Sequence, residues 1–167
     1  MKALFGKASA EWSGNFRSGS GTVTTGSGAI RTVAYGSVQH REDQHTCPDE
    51  LMAAAQAGCF SMALASELGE DGFKPSHIET LATFRIEQLK TGWTIAEIFL
   101  DTTAVVAHIS QTQFVDAALR AKSRCLMTRL FKARIWMQAR LKSPLLPVAI
   151  RKRKRGHRRA LLDRRVF

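Results

Sequence analysis

The feature that most constrains the fold of this 167-residue chain is an uncharged run at residues 51–66. The run follows Pro48-Asp49-Glu50, and a proline at the first helical position followed by acidic residues is typical of a helix N-terminus. The sequence therefore predicts a helix over residues 48–69, with Cys47 or Thr46 as its capping residue. Because this segment is apolar on nearly every side, we expect the helix to be central and fully buried.

The same run bears on the compartment of the protein. It is shorter than the ~18 apolar residues of a membrane span, and residues 1–5 lack the apolar core of a secretory signal. We therefore expect no membrane association and a cytoplasmic location. The three cysteines, Cys47, Cys59 and Cys125, form an odd and sparse set, which in a reducing compartment favours reactive thiols over a disulfide framework.

The segments around the apolar helix show strand and helix patterns in turn. The predicted elements are a β-meander over residues 12–30, the apolar helix, a hairpin of residues 78–87 and 93–106 that turns at residues 90–92, a second helix over 112–125 and a last strand over 133–141. The second helix is indicated by apolar residues spaced three and four apart on one face: Phe114, Ala117, Ala118 and Ala121. This order predicts an α+β domain in which a curved antiparallel sheet packs on two central helices. The domain should end near Lys142.

Much of the positive charge lies beyond that point. The formal net charge is +11, yet residues 143–167 hold nine Lys and Arg residues and one acidic residue. We therefore expect a domain of residues 1–142 and a basic C-terminal extension of residues 143–167 outside the core. The extension could bind nucleic acid or an anionic surface through residues 151–155, although no aromatic side chain interleaves with it and a solvated tail is the ordinary interpretation.

The cysteines suggest redox chemistry only in particular surroundings. Burial raises the pKa of a thiol and weakens it as a nucleophile, so Cys59 needs a nearby cation to react. Arg41 is the nearest candidate, and Glu50 could hold its guanidinium group. Glu50 and Cys59 lie nine residues apart, about 180° around a straight helix, so a site containing both needs a bend, a folded-back loop or a second subunit. If Cys125 approached Cys59, the pair could reduce peroxide through a sulfenic acid and a disulfide.

A metal site is an alternative interpretation of the same region. His40, His45 and Cys47 lie within eight residues, with Cys59 beyond them. Their spacing matches no common zinc pattern, so we expect no metal cofactor. The zinc content of chelator-free protein separates the two interpretations.

Several segments resemble the OsmC/Ohr family, the osmotically inducible and organic hydroperoxide resistance proteins. Trp12-Ser13-Gly14 with Gly19-Ser20-Gly21-Thr22-Val23 is similar to the family's W-x-G…G-x-G-x-V pattern. Pro48-Asp49-Glu50-Leu51 and Ala54-Ala55-Gln56-Ala57-Gly58-Cys59-Phe60-Ser61-Met62-Ala63-Leu64 resemble its P-E-E-L…A-A-H-A-x-C-F-S-M-A-L signature, in the OsmC style. Ala121-Lys122 followed by Cys125 matches its A-K-x-x-C pattern. Together these segments cover about residues 9–142.

The resemblance implies a thiol peroxidase that works as an intertwined homodimer, with active sites at the subunit interface. It implies organic hydroperoxides as substrates, a dithiol such as a dihydrolipoyl group as reductant, no cofactor, and a role in oxidative and osmotic stress defence. At the matching positions Cys59 is the peroxidatic thiol, Cys125 the resolving thiol, and Glu50 the carboxylate that orients the active-site arginine. Arg41 is assigned as that arginine because Arg41-Glu42-Asp43 resembles R-F-E-D without the Phe. An ungapped count from Tyr35-Gly36 places His40 there instead.

The sequence also departs from the family's pattern. Cys47 replaces an Asn, which removes a helix cap worth about 1 kcal/mol; Thr46, paired with Asp49, is the expected substitute. Val106-Ala107-His108-Ile109 replaces V-P-G-I, and Leu126-Met127-Thr128 replaces P-V-S after the second cysteine. A catalytically impaired relative, or a protein that binds nucleic acid through its basic extension, is therefore the alternative function.

Overall fold

The computed structural model describes residues 3–37 and 45–142, which form an α+β fold of two three-stranded sheets and three helices. The first sheet contains β1 (Ala8–Ser13), β2 (Ser20–Thr25) and β3 (Val33–Tyr35). The second contains β4 (Pro75–Leu89), β5 (Gly92–Val106) and β6 (Arg134–Leu141). The helices are α1 (Pro48–Glu70), α2 (Gln111–Arg124) and α3 (Leu126–Leu130). The fold class is the one predicted, and the elements begin and end close to the expected residues.

Helix α1 begins where the proline predicted, but its N-terminus is capped differently. Cys47 is the capping residue and has extended backbone angles, yet its side chain makes no capping hydrogen bond. The Thr46 hydroxyl donates to Glu50 Oε2 at 3.1 Å. The expected pairing of Thr46 with Asp49 is therefore wrong, because Thr46 Oγ1 engages the carboxylate four residues on instead.

Helix α1 is buried on one face only. Phe60, Leu64 and Leu68 have no exposed surface and pack against α2 and the second sheet, whereas Met62 on the opposite side is 76% exposed. The expectation of a fully buried helix is thus wrong for the single chain, because one three-stranded sheet and α2 cover only one side. By length and mean hydropathy α1 could span a membrane, which corrects the estimate from the uncharged run alone, although core helices of water-soluble proteins meet the same criterion.

The second sheet is mixed rather than wholly antiparallel. Strands β4 and β5 form the predicted hairpin, and Gly92 at its turn has a φ of +117°, which favours glycine. Strand β6 pairs with β5 in parallel, with Ile98 opposite Ile135. The single antiparallel sheet expected from the sequence is therefore wrong in this detail, because α2 and α3 carry the chain back along the sheet before β6 begins.

Helix α2 packs closely on this core because three of its four buried side chains are alanines. Its buried residues are Phe114, Ala117, Ala118 and Ala121, the apolar positions that the sequence indicated. A capping box starts the helix: the Gln113 backbone N–H donates to Ser110 Oγ, and the Ser110 N–H donates to the Gln113 side chain. These two bonds fix the N-terminus of α2, and the helix runs from there to its last residue, Arg124.

A buried carboxylate joins α1 to α2. The side chain of Glu67 is only 4% exposed and accepts one hydrogen bond from Arg120 Nε and one from Arg124 Nη1, both at 2.9 Å. Arg120 also pairs with Asp71, and Arg124 with Glu70. Since Arg124 directly precedes Cys125, this network ties the end of α2 to α1.

Replacing Glu67 with Ala should destabilise the fold measurably. Two charge-assisted hydrogen bonds to a buried group are lost, which we expect to cost about 2 kcal/mol and to lower the melting temperature by roughly 4–8 °C. Glu87→Ala is the matched control, since Glu87 is 40% exposed in its ion pair with Arg85, and its melting temperature should change by less than about 3 °C. Equal shifts in a thermal melt would contradict the role assigned to Glu67.

Candidate active site

Two of the three cysteines meet in the structure. Cys125 Sγ donates to Cys59 Sγ at 3.3 Å, although the two residues are 66 positions apart. Cys125 is 1% exposed, whereas Cys59 is half-buried, and both are free thiols. The sequence could not establish this approach, because it depends on how α1, α2 and α3 pack together.

Cys125 faces Cys59 because the helical path breaks at this residue. Cys125 ends α2, where its N–H donates to the Ala121 carbonyl at 2.8 Å, and its own carbonyl accepts from the Arg129 N–H as α3 begins. Its backbone angles, φ −58° and ψ 125°, lie outside the helical region. Helix α3 is not among the elements predicted from the sequence, although Leu126 and Leu130 are spaced four residues apart, as on one helical face.

Burial dominates the electrostatics of the thiol pair. It raises the pKa of Cys59 above its ordinary value, and the neighbouring Cys125 raises it further through a hydrogen bond and charge repulsion. Backbone hydrogen bonds from Met127 and Leu126, in the first turn of α3, act in the opposite direction. In the surroundings that the structure describes, Cys59 is therefore a protonated thiol that needs a cation to become a strong nucleophile.

A buried amide lies one helical turn before Cys59. Gln56 has no exposed surface, and its Nε2 donates to Thr128 Oγ1 at 3.0 Å, linking α1 to α3. Gln56 Oε1 is also buried and has no hydrogen-bond partner within the described part of the chain. Neither residue was predicted to belong to the site; the only signal was that Gln56 stands at the His of the family's A-A-H-A motif and Thr128 at the Ser of its P-V-S motif.

The other predicted site residues lie apart from this pair or outside the description. Glu50 lies in the first turn of α1, where it accepts from Thr46. No interaction links it to Cys59 within residues 3–37 and 45–142, in keeping with their opposite positions around the helix. Arg41 and its rival His40 fall in residues 38–44, outside the described residues.

Cys47 is buried at the N-terminus of α1. Its pKa is raised, first by burial and then by a hydrogen bond to Asp49. Cys47 and Cys59 are twelve residues apart, roughly 18 Å along a helix, so the two thiols do not meet within one chain. The described residues contain no group of three possible metal ligands; the suggested cluster cannot be assessed in full because His40 lies outside them.

An apolar cavity of about 720 Å³ lies between the first sheet, the N-terminus of α1 and the β4–β5 hairpin. Most of its lining is aromatic or aliphatic, and the residues that contribute such side chains are Trp12, Phe16, Tyr35, Met52, Ile86, Trp93 and Ile95. Asp49 and Ser37 add polar atoms. The cavity can hold an alkyl or aryl group, but within one chain the α1 residues that line it lie about two to three helical turns from Cys59.

Comparison with known proteins gives consistent matches. Residues 41–140 match the family described as OsmC-like protein. The chain is 37% identical over 138 residues to a protein named peroxiredoxin OsmC from Escherichia coli (strain K12), covering 82% of this chain and 96% of that protein; the Shigella flexneri protein of that name matches equally.

Solved structures share the fold. An OsmC-like protein from Mycoplasma pneumoniae has a TM-score of 0.69 at 12% identity, covering 84% of this chain and 99% of that chain. The organic hydroperoxide resistance protein OhrB of Bacillus subtilis has a TM-score of 0.60 at 18% identity, covering 84% and 100%. At these identities the structural matches establish the fold.

Proposed function

The chain belongs to the OsmC-like protein family, and on that premise we propose that it is a thiol-dependent peroxidase that reduces organic hydroperoxides to alcohols. The observation that carries the proposal is the 3.3 Å contact between Cys59 and Cys125, the two positions at which this sequence matches the family's cysteines. The 37% identity to a named peroxiredoxin supports the same reaction class. In a homodimer in which the N-terminus of α1 of one subunit meets Cys59 of the other, the apolar cavity at that N-terminus would favour an organic hydroperoxide over hydrogen peroxide as substrate.

The proposed cycle uses the two thiols in sequence. The Cys59 thiolate attacks the outer oxygen of the hydroperoxide, the O–O bond breaks, and the departing alkoxide takes a proton to leave as the alcohol. Cys59 is then a sulfenic acid. The Cys125 sulfur attacks it, forming the Cys59–Cys125 disulfide and releasing water. An external dithiol, such as a dihydrolipoyl group, restores both thiols by disulfide exchange, so the cycle needs no prosthetic group.

The cycle requires a cation near Cys59, since burial and Cys125 hold the thiol in its neutral form. We assign this role to Arg41 and the orientation of its guanidinium group to Glu50. Glu50 and Cys59 lie on opposite sides of α1, so one chain cannot supply both groups to one site without a rearrangement. In a homodimer, Arg41 and Glu50 of one subunit would serve Cys59 of the other.

The open face of α1 supports such a homodimer. Small or flexible side chains recur at every fourth position on this face: Ala54, Gly58, Met62 and Ser66. All four are exposed in the single chain, and side chains of this size allow another helix to approach closely. Strand β1 is also exposed along all six residues. A second copy would cover these surfaces and complete the burial that the sequence predicts for α1.

The role of the cation can be tested by substitution. Arg41→Ala should slow the oxidation of Cys59 at neutral pH and shift its pH profile to higher pH, because the thiol pKa rises further without the guanidinium charge. His40→Ala should leave both the rate and the profile unchanged. The rate of sulfenic acid formation between pH 6 and 9 gives the measurement. The opposite pattern would assign the position to His40, which carries a charge only partly at neutral pH.

The basic extension of residues 143–167 lies outside the described residues, and we propose that it is dispensable for the fold. The last described residue, Lys142, follows directly on β6; its N–H donates to the Ala104 carbonyl at 2.8 Å and its Nζ pairs with Glu79. A chain that ends at Lys142 should melt cooperatively and keep its peroxidase activity. We also propose that the protein is located in the cytoplasm. Loss of cooperative melting would show that the extension belongs to the core, whereas loss of salt-sensitive DNA retention alone would indicate an electrostatic accessory role.

A further inference from the structure

We propose that Gln56 and Thr128 are positioning residues for the resolving step: their hydrogen bond holds α3 so that Cys125 stays in front of Cys59. The inference rests on the peroxidase function proposed above. It concerns the second chemical step, the formation of the disulfide, and it assigns a role to two residues that do not themselves react.

The positions of the Gln56–Thr128 pair and the Cys59–Cys125 pair support this role. Gln56 precedes Cys59 by three residues on α1, and Thr128 follows Cys125 by three residues across the break between α2 and α3. The Gln56–Thr128 hydrogen bond, at 3.0 Å, and the Cys59–Cys125 contact, at 3.3 Å, therefore join the same two segments in antiparallel order. Residues three apart on a helix lie on neighbouring parts of one face. The amide is thus a side-chain hydrogen bond between α1 and α3 directly beside the thiol pair.

Helix α3 depends on such links because it is short and mostly exposed. It contains only five residues, too few for a stable isolated helix, and Leu126 and Leu130 are 64% and 65% exposed. Met127 is its main contribution to the core. A small displacement of α3 would move Cys125 away from Cys59, because Cys125 is the residue at which α3 begins.

The Gln56 amide is an unfavourable choice for stability alone. A fully buried primary amide that leaves its Oε1 without a partner in the described part of the chain loses hydration without full compensation. Replacing both partners with apolar residues of similar shape is close to neutral for folding in such cases. The specific orientation that the bond gives to α3 is therefore what distinguishes this pair from an apolar contact.

The resolving step depends on that orientation more than the first step does. Attack on the peroxide requires the Cys59 thiolate, the cation that stabilises it and the substrate, but it does not involve Cys125. Condensation requires the Cys59 sulfenic acid and the Cys125 thiol, held by separate elements, to meet; an S–S bond forms and one water leaves. The rate of such a step follows the effective concentration of one group at the other.

The first test measures this proximity without peroxide. Wild-type protein, Thr128→Val, Gln56→Leu and the double variant are equilibrated with mixtures of oxidised and reduced dithiothreitol, and the Cys59–Cys125 disulfide is quantified by peptide mapping. Oxidation of the two thiols is balanced by reduction of the reagent's disulfide. We expect either single variant to disfavour the protein disulfide by about tenfold, the value of one hydrogen bond, and the double variant to match the singles.

The matched control is Thr128→Ser, which keeps the hydroxyl group and should stay within about twofold of wild type. Thermal melts of all variants check the fold. The second test adds one equivalent of cumene hydroperoxide and follows both steps. In Thr128→Val, disulfide formation should slow by about tenfold while sulfenic acid formation changes by less than about threefold.

A wild-type equilibrium in Thr128→Val, an equal slowing of both steps, or an equal loss in Thr128→Ser would each overturn the inference. Failure of the wild type to react with cumene hydroperoxide would instead refute the proposed function. The dithiothreitol equilibrium would still decide whether Gln56 and Thr128 position the two thiols.

Discussion

A Cys59→Ser variant should turn over an alkyl hydroperoxide no faster than the protein-free control. The serine hydroxyl is a far weaker nucleophile than a thiolate, so the first oxidation should disappear together with turnover. Cys125 cannot replace the missing sulfur, since it is 1% exposed and faces Cys59 rather than solvent. Consumption of cumene hydroperoxide in the presence of a dithiol gives the measurement, and circular dichroism confirms that the variant is folded.

Cys125→Ser provides the contrast that identifies the roles. This variant should react once with the hydroperoxide and then stop, leaving a sulfenic acid on Cys59 that dimedone labels or that excess peroxide converts to sulfinic acid. The wild type should show a Cys59–Cys125 disulfide, and Cys47→Ser, which removes the third thiol, should behave as the wild type does. A Cys47–Cys59 bridge with Cys125 unmodified would make Cys47 the resolving residue and contradict the scheme.

The second large effect should follow from a charge on the open face of α1. Met62 is 76% exposed in the single chain, but in the proposed homodimer it lies against the second copy. Met62→Glu would bury an unpaired charge at each of two symmetry-related positions, at a cost of several kcal/mol each. We expect sedimentation to change from about twice the 18.5 kDa chain mass to the monomer value, with loss of peroxidase activity.

Two variants separate loss of the interface from general damage. Met62→Leu keeps the apolar surface and should remain dimeric and active. Leu81→Glu places the same charge at a residue that is 64% exposed on the face of β4 opposite to Thr80, which hydrogen-bonds Ser61 of α1; it should also remain dimeric. A Met62→Glu protein that stays dimeric and fully active would exclude this face of α1 from the interface.

The elements that were predictable from the sequence are those fixed by local chemistry. Pro48 and the uncharged run located α1, the turn at Gly92 located the hairpin, and the spacing of alanines located α2. The pairing of β6 was not predictable in the same way, since residues 134–141 alternate identically whether they pair in parallel or antiparallel order. Helix α3 is stabilised by its contacts with the rest of the chain rather than by its own five residues, so the four-residue spacing of Leu126 and Leu130 was too short a pattern to specify it.

The candidate site likewise combines features that the sequence predicts with features that depend on long-range packing. The resemblance to known cysteine positions selected Cys59 and Cys125. The helical angle between Glu50 and Cys59 left a bend, a folded-back loop or a second subunit open, and the resemblance implied the second subunit. The approach of the two sulfur atoms and the Gln56–Thr128 bond, formed across 72 positions, depend on the packing of α1 against α3. Such contacts are long-range, and the residue types alone do not indicate them.

The unequal exposure of the two sulfur atoms also gives the proposed cycle a direction. Cys125 is enclosed, whereas Cys59 keeps part of its surface open. In the disulfide, an incoming dithiol can therefore reach only the Cys59 sulfur, and Cys125 departs as the leaving thiol. Both the hydroperoxide and the reductant thus react at the Cys59 sulfur. A bulky dithiol would have to occupy the same space beside this atom as the hydroperoxide. Substrate and reductant should then compete for the same approach to the Cys59 sulfur, so that an excess of either one inhibits the reaction of the other with the protein.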